Sequence, residues 1–166
     1  MQGYYDSMGV SADHFTQAIS VDASGQMSLT EDMKQRHMFM QSQVEPSIFY
    51  LGFNMLDGVV GGDSESARLL RHAIGLAVDY GEYIQLFLNG RGQLADGPIP
   101  PGIQGYQAPQ MQVMSAGERL SLARKKMVEA GYPDGIDPAT QRPLMLYYDA
   151  VVTSSADGQA MLAWMR

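Results

Sequence analysis

The clearest hydrophobic pattern in the chain is a pair of helical stripes between residues 63 and 90. Four apolar residues recur at the spacing of one helical face: Leu70, Ala73, Ile74 and Ala77. Five more form a second stripe: Tyr80, Tyr83, Ile84, Phe87 and Leu88. Asp63 or Ser64 can cap the first helix, and Asn89-Gly90 is a favourable stop for the second. The pattern therefore predicts two consecutive amphipathic helices with a bend around Asp79.

Two further helices are predicted from their capping residues. Ser115 and Glu118 have the spacing of a capping box, and an apolar face follows them until Gly131 ends the pattern. Ser28 and Glu31 have the same spacing and predict a helix near residue 28. A short helix is also expected from Ser11 onward.

Two stretches have the composition of β-strands. Residues 48–53 are mainly β-branched, aromatic or apolar, and Pro46 is expected in a turn before them. Residues 144–152 are predicted to form a buried strand, and Ser154 or Ser155 is then expected to cap a last helix. The order of elements predicts an α+β (mixed α/β) fold, with helices packed on a small mixed sheet.

The last helical stripe stops abruptly. Met161, Trp164 and Met165 share one helical face, and no capping residue or glycine follows them. We expect a chain excised from a longer protein, with a native C-terminal helix as the alternative.

Composition limits the classes of function. The 166 residues carry a formal net charge of -7, and no basic stripe with interleaved aromatics occurs, so nucleic-acid binding is not expected. The absence of cysteine removes disulfides, thiolate catalysis and Cys-based zinc sites. No apolar run has the length of a membrane span, and the first residues do not resemble a signal peptide.

The titratable residues do not form a catalytic pattern. The three histidines, His14, His37 and His72, are scattered without metal-ligand spacing. Asp79 and Asp149 are the only carboxylates within apolar runs, and we interpret Asp79 as a cap and Asp149 as a strand end. No enzyme activity, metal site or cofactor is predicted.

One glycine-rich loop keeps an alternative function open. Gly90, Gly92 and Ala95 have the spacing of a dinucleotide-binding fingerprint, which would indicate a small enzyme or a nucleotide-binding domain. That fingerprint binds pyrophosphate at a strand-to-helix turn, whereas here it follows a helix and precedes three prolines. An ordered connecting loop is the favoured interpretation.

Several stretches together resemble a known family. They are "YLGFNML", "ARLLRHAIGLAVDYGEYIQLFLNGRG", "GPIPPGIQGY" and "ARKKMVEAGYPDGIDPATQRPLMLYYD", in that order. Their order and spacing are similar to those of bacterial extracellular solute-binding proteins of family 5, the dipeptide and oligopeptide type of ABC transporter. The resemblance extends over roughly residues 44–166, and Val78 stands where the family usually has isoleucine.

The resemblance implies a two-lobed periplasmic or extracytoplasmic protein that closes around a peptide, or a related small solute, and delivers it to an ABC permease. Residues 44–166 would be the front part of the second lobe, truncated at its C-terminus, and residues 1–43 an irregular and helical lead-in. Tyr50, Phe53 and Asn54 would line the ligand cleft. Relatives also bind oligosaccharides, nickel complexes, haem or opines, and a regulatory or sensory use of the fold is a third possibility.

Overall fold

The computed structural model describes residues 7–108, 114–150 and 156–165. The chain divides into two compact units. Described residues of the first unit lie within 1–45, 83–93 and 152–166, and those of the second lie within 46–82 and 94–151. Helices and short hairpins occur in both, which makes the fold a mixed α+β arrangement.

The first unit opens with a short helical segment and a hairpin. A 3-10 turn at Ala12–His14 leads into α1, Phe15–Ala18, as the sequence predicts for this region. Strand β1, Ile19–Val21, then pairs antiparallel with β2, Met27–Leu29, and α2 follows at Glu31–Gln35. The buried side chains of this hairpin core are apolar: Phe15, Ala18, Ile19 and Met33.

The turn of this hairpin is organised by Asp22. Its Oδ1 atom accepts hydrogen bonds from the backbone N–H of Ser24 at 2.8 Å and of Gln26 at 2.9 Å. Gly25 has a φ of +83°, which glycine adopts without a steric cost. The hairpin is therefore specified by local turn chemistry.

The capping box predicted at Ser28 is wrong. Ser28 lies in β2 opposite Ser20, and the N-cap of α2 is Thr30. The Thr30 amide donates to the Ala18 carbonyl at 2.9 Å, and its hydroxyl donates to the Gln17 carbonyl at 3.0 Å. These contacts hold the preceding residues in a ladder, which precludes a helix starting at Ser28.

The first unit also contains an aromatic cluster, made by Tyr83, Phe87 and Trp164. Tyr83 and Phe87 lie on α4, Tyr80–Leu88, and Trp164 lies on α6, Ala156–Trp164. The ring centroids are 5.3 to 5.9 Å apart, and the rings are tilted or edge-on to one another. These are favourable arrangements for aromatic pairs. The predicted C-terminal helix is confirmed, whereas its expected caps Ser154 and Ser155 lie outside the described residues.

The second unit is built on two helices in contact, α3 at Glu65–Ala77 and α5 at Ala116–Glu129. Leu70 is completely buried, and small residues on the two helices and at the C-cap of α5 allow a close approach: Ala67, Ala73, Ala123 and, at the C-cap, Ala130. Ser66 reinforces the contact by donating a 2.5 Å hydrogen bond to the Ala130 carbonyl. The predicted apolar face of α3 is thus confirmed at Leu70 and Ala73, but Ala77 is exposed.

The predicted caps of these two helices are confirmed. The Ser64 hydroxyl accepts a hydrogen bond from the Ala67 amide at 3.2 Å. Ser115 and Glu118 form the reciprocal capping box at the start of α5. Gly131, with a φ of +95°, follows the end of α5 as predicted. A 3-10 turn at Pro133–Gly135 then precedes a minimal antiparallel hairpin of β3, Ile136–Asp137, and β4, Arg142–Pro143.

Both long strands expected from the sequence are wrong in the described residues. Residues 46–53 and 144–150 have no helix or strand assignment, and residues 151 and 152 lie outside the description. The described residues form two separate two-stranded antiparallel sheets and no mixed sheet. A strand is stabilised by a partner's hydrogen-bond ladder, and among the described residues the two stretches receive a single backbone bond, from the Leu144 amide to the Gly135 carbonyl at 2.7 Å.

Candidate ligand-binding segment

The sequence-predicted ligand residues lie on one extended stretch. Tyr50 is 80% exposed and Phe53 is half-buried. Asn54 ends the stretch, where its side-chain oxygen accepts a hydrogen bond from the Leu56 amide at 3.0 Å. Among the described residues, no hydrogen bond or ring contact joins the three side chains to one another. The structure thus brings the three residues onto one stretch, but it does not gather them into a pocket.

A tightly turned loop, residues 54–62, connects this stretch to α3. Asp57 Oδ1 accepts hydrogen bonds from the amides of Val59 at 2.8 Å and Val60 at 2.9 Å. The same bonds, that from Val60 foremost, lower the pKa of Asp57 because they stabilise its charged form. The Gly61 amide donates to the Asp57 carbonyl at 3.1 Å, and the Gly62 amide donates to the Met55 carbonyl at 2.9 Å.

Arg71 fastens this loop to α3. One guanidinium nitrogen, Nη1, donates to the carbonyls of Val60 at 2.6 Å and Gly62 at 3.0 Å. Sequence reasoning did not assign these roles to Arg71, Asp57 or Gly61. The closely spaced aspartate and glycines of "LDGVVGGD" were the available signal, because such residues are typical of ordered turns. The loop therefore gives the candidate segment a fixed end at Asn54.

Asp79 and Arg119 organise the turn from α3 to α4. Arg119 Nη1 donates to the carbonyls of Leu76 at 3.1 Å and Val78 at 2.6 Å, and Nη2 contacts the Asp79 carboxylate at 2.6 Å. The other oxygen of Asp79 accepts from the Glu82 amide at 2.9 Å. The interpretation of Asp79 as a cap is confirmed, and Arg119 is a contributor that the sequence pattern did not reveal.

This arrangement predicts a pH dependence of stability that is specific to Asp79. The Glu82 amide foremost, and then Arg119, hold the pKa of Asp79 below its ordinary value. A carboxylate with a lowered folded-state pKa stabilises the fold above its unfolded pKa, and that contribution is lost as the pH falls through the folded pKa. In urea unfolding, we expect Asp79→Asn to be less stable than the parent at neutral pH. The difference should shrink below the ordinary aspartate pKa of about 3.9. A difference independent of pH would contradict this role.

The glycine loop begins at the C-terminal end of α4, not at the N-terminal end of a helix. The Gly90 amide donates to the Ile84 carbonyl at 2.9 Å, and the Arg91 amide donates to the Leu88 carbonyl at 3.0 Å. Asn89 and Gly90 have φ values of 52° and 72°, typical of a C-terminal cap. Helix C-termini present carbonyl oxygens and a negative partial charge, which repel phosphate. The predicted helix stop is confirmed, and the geometry is unfavourable for the dinucleotide alternative.

The part of the chain that the structure describes has few other features that could bind a ligand. A shallow depression along α5 is lined by five residues, none of which is a predicted ligand residue: Gly117, Glu118, Ser121, Leu122 and Lys125. No cluster of histidine and acidic residues within 7–108, 114–150 and 156–165 could hold a metal ion. No described helix combines the length and apolarity that crossing a membrane requires.

Comparison with known proteins identifies one family. The family model for bacterial extracellular solute-binding proteins, family 5 Middle, matches residues 12–165. Neither a curated protein nor a solved structure matches the chain. The family match includes the capped helices, the glycine loop and the candidate segment around Tyr50. The chain therefore belongs to the family 5 extracellular solute-binding proteins.

Proposed function

We propose that this chain forms the front part of the second lobe of a longer solute-binding protein, and that the whole protein captures peptides, or a related small solute, for an ABC permease. The observation that carries the proposal is the family match over residues 12–165. Family membership supports a binding role in transport. It also supports an extracytoplasmic location, which we place in the periplasm.

The contacts within the second unit are suited to this role. A lobe that closes around a ligand must move as a body, and rigid elements suit such motions. Leu70 and the alanines of α3 and α5 form a buried contact, while Arg71 and Arg119 fasten the adjoining turns through backbone carbonyls. The division between residues 1–43 and 44–166 stays a prediction.

Tyr50, Phe53 and Asn54 are the proposed ligand contacts. The exposed Tyr50 ring can stack on an apolar group and donate a hydrogen bond from its hydroxyl. Phe53 offers apolar surface beside it, and the Asn54 amide group has donors suited to a peptide carbonyl. The Asn54 side-chain oxygen is already engaged by Leu56, so we assign Asn54 a donor role.

Alanine substitution at each of the three positions in the full-length protein tests this assignment. We expect calorimetry with peptide mixtures to show binding weakened roughly tenfold for Tyr50→Ala, which corresponds to about 1.4 kcal/mol. Val128→Ala, at an exposed position on α5, is the control and should leave affinity unchanged. Unchanged affinity in all three variants would overturn the ligand assignment.

The lobe assignment needs a separate measurement, made on the 166-residue chain. With half of the cleft absent, this chain should bind the same peptides weakly or not at all. Near-native affinity would contradict its placement as part of one lobe, whatever the three alanine variants show.

A further inference from the structure

Asn54, the proposed hydrogen-bond donor to the solute, is held by the loop that follows it. Its backbone carbonyl accepts a hydrogen bond from the Asp57 amide at 3.1 Å, and its side-chain oxygen accepts one from the Leu56 amide at 3.0 Å. Asn54 is exposed, and because its side-chain oxygen is engaged, the amide nitrogen is the group that it offers to a solute. Both its main chain and its side chain therefore depend on the conformation of the loop.

The backbone of this loop closes on itself. The Gly61 amide donates to the Asp57 carbonyl at 3.1 Å, and the Gly62 amide donates to the Met55 carbonyl at 2.9 Å. A Cβ atom at Gly61 would lie 2.6 Å from the Met55 carbonyl oxygen, so the beginning and the end of the loop are in close contact. A displacement of Gly62 is therefore transmitted to Met55, the residue that follows Asn54.

Arg71 fixes the end of the loop to α3. Its Nη1 atom donates to the carbonyls of Val60 at 2.6 Å and Gly62 at 3.0 Å. The preceding residue, Leu70, is completely buried, so the backbone at this point of the helix is anchored in the core. The Val60 amide in turn donates to Asp57 Oδ1 at 2.9 Å, which connects the Arg71 contact to the middle of the loop.

Such fastening affects binding as well as folding. A loop that is mobile in the free protein must be ordered when the solute binds, and this ordering opposes binding. A loop that already has its bound conformation avoids that cost. Both hydrogen bonds of the Arg71 side chain go to the loop, so its influence on a solute is exerted through the residues that the loop holds.

We propose that Arg71 is a positioning residue for solute binding: it fastens the loop of residues 54–62 to α3 and so holds Asn54 ready to donate to an acceptor oxygen of the solute. The inference rests on the proposed function, in which Asn54 contacts the solute. It concerns the affinity of the folded protein, in addition to any contribution that Arg71 makes to stability.

A double-mutant cycle in the full-length protein tests this coupling. Calorimetry with a mixture of synthetic tripeptides gives the apparent dissociation constants of the parent, Arg71→Ala, Asn54→Ala and the double variant, at a temperature where circular dichroism shows each to be folded. We expect Arg71→Ala to weaken binding about three- to tenfold, within the range for residues that act through a contact network. In the Asn54→Ala background it should change the affinity by less than about twofold, because the residue that it positions is already truncated.

Two further variants control for charge and for folding. Arg68→Ala removes an arginine from the same helix, where the side chain makes an exposed ion pair with Asp63 at 3.7 Å, outside the loop, and it should leave the affinity unchanged. Arg71→Lys should weaken binding less than Arg71→Ala, because an ammonium group can still donate to one of the two carbonyls. It takes the place of Arg71→Ala in the cycle if the alanine variant does not fold.

Hydrogen exchange of residues 54–62 in the full-length protein reports on the fastening directly. Without solute, these amides should exchange faster in Arg71→Ala than in the parent or in Arg68→Ala. Parent-like affinity of Arg71→Ala, effects of the two substitutions that multiply, or unchanged exchange would each overturn the positioning role and leave Asn54 as a solute contact. Parent-like affinity of Asn54→Ala would instead overturn the ligand role of Asn54 and the inference with it.

Discussion

Replacing Gly61 with alanine is expected to destabilise the second unit by about 3 kcal/mol, the upper end of the usual cost of overpacking. A Cβ atom at this position would lie 2.6 Å from the Met55 carbonyl oxygen and 2.7 Å from the Asp57 amide nitrogen, and it would collide with the Asp57 carbonyl oxygen. These are backbone atoms, so no rotamer change relieves the clash. Arg71 and the Asp57 side chain hold the same loop in place, which limits its ability to relax.

Urea unfolding followed by circular dichroism measures this effect. Gly58→Ala is the matched control, because it lies in the same loop, its φ is not positive and its added Cβ meets nothing within 4 Å. We expect Gly58→Ala to change the free energy of unfolding by less than about 1 kcal/mol. Equal effects of the two substitutions would show that the close backbone approach at Gly61 is not what the loop requires.

The second large effect is expected for Arg119→Ala, at about 1.5–3 kcal/mol, the range for hydrogen bonds made by a charged group. The Arg119 side chain is only 18% exposed, and its loss leaves the carbonyls of Leu76 and Val78 without these donors. It also removes the cationic partner of Asp79. Arg119→Lys should restore only part of the stability, because an ammonium group lacks the planar fork that reaches all three acceptors.

Arg124 provides the control for this substitution. It lies on the same helix and is exposed, and its side chain makes no hydrogen bond or ion pair with other described residues. Arg124→Ala should therefore change the free energy of unfolding by less than about 0.5 kcal/mol. If Arg119→Ala were as mild as this control, the guanidinium contacts would be irrelevant to stability.

The helices could be predicted because the residues that specify them lie close together in the sequence. The stripe at Leu70 and Ala73, the cap at Ser64 and the capping box at Ser115 each depend on residues within one or two helical turns. Asn89-Gly90 and Gly131 were identifiable as stops because their left-handed backbone conformation favours asparagine and glycine.

The strands were less predictable because a strand depends on a partner that can be distant in the chain. Residues 46–53 and 144–150 have strand composition but no ladder in the described chain. Conversely, β1 and β2 were missed because a helical capping pattern at Ser28 overlaps the second strand. The turn chemistry of Asp22 and Gly25 was the signal that would have identified this hairpin.

The candidate site likewise combines features that the sequence could indicate with contacts that it could not. Tyr50, Phe53 and Asn54 were chosen through the family resemblance, and their roles stay predictions. The contacts that fix their surroundings cross from one element to another, as Arg71 does from α3 to Val60 and as Arg119 does from α5 to α3 and Asp79. A long polar side chain that reaches a carbonyl 11 or 41 residues away has no periodic signature in the sequence.

The aromatic cluster of the first unit contains an intrinsic fluorescence probe. Trp164 is the single tryptophan of the chain, and it packs against Tyr83 and Phe87. Its fluorescence therefore reports on the first unit, whereas Gly61 and Arg119 lie in the second. Far-ultraviolet dichroism reports on helices in both units. Coincidence or separation of the two signals during denaturation would show whether the units unfold as one cooperative body.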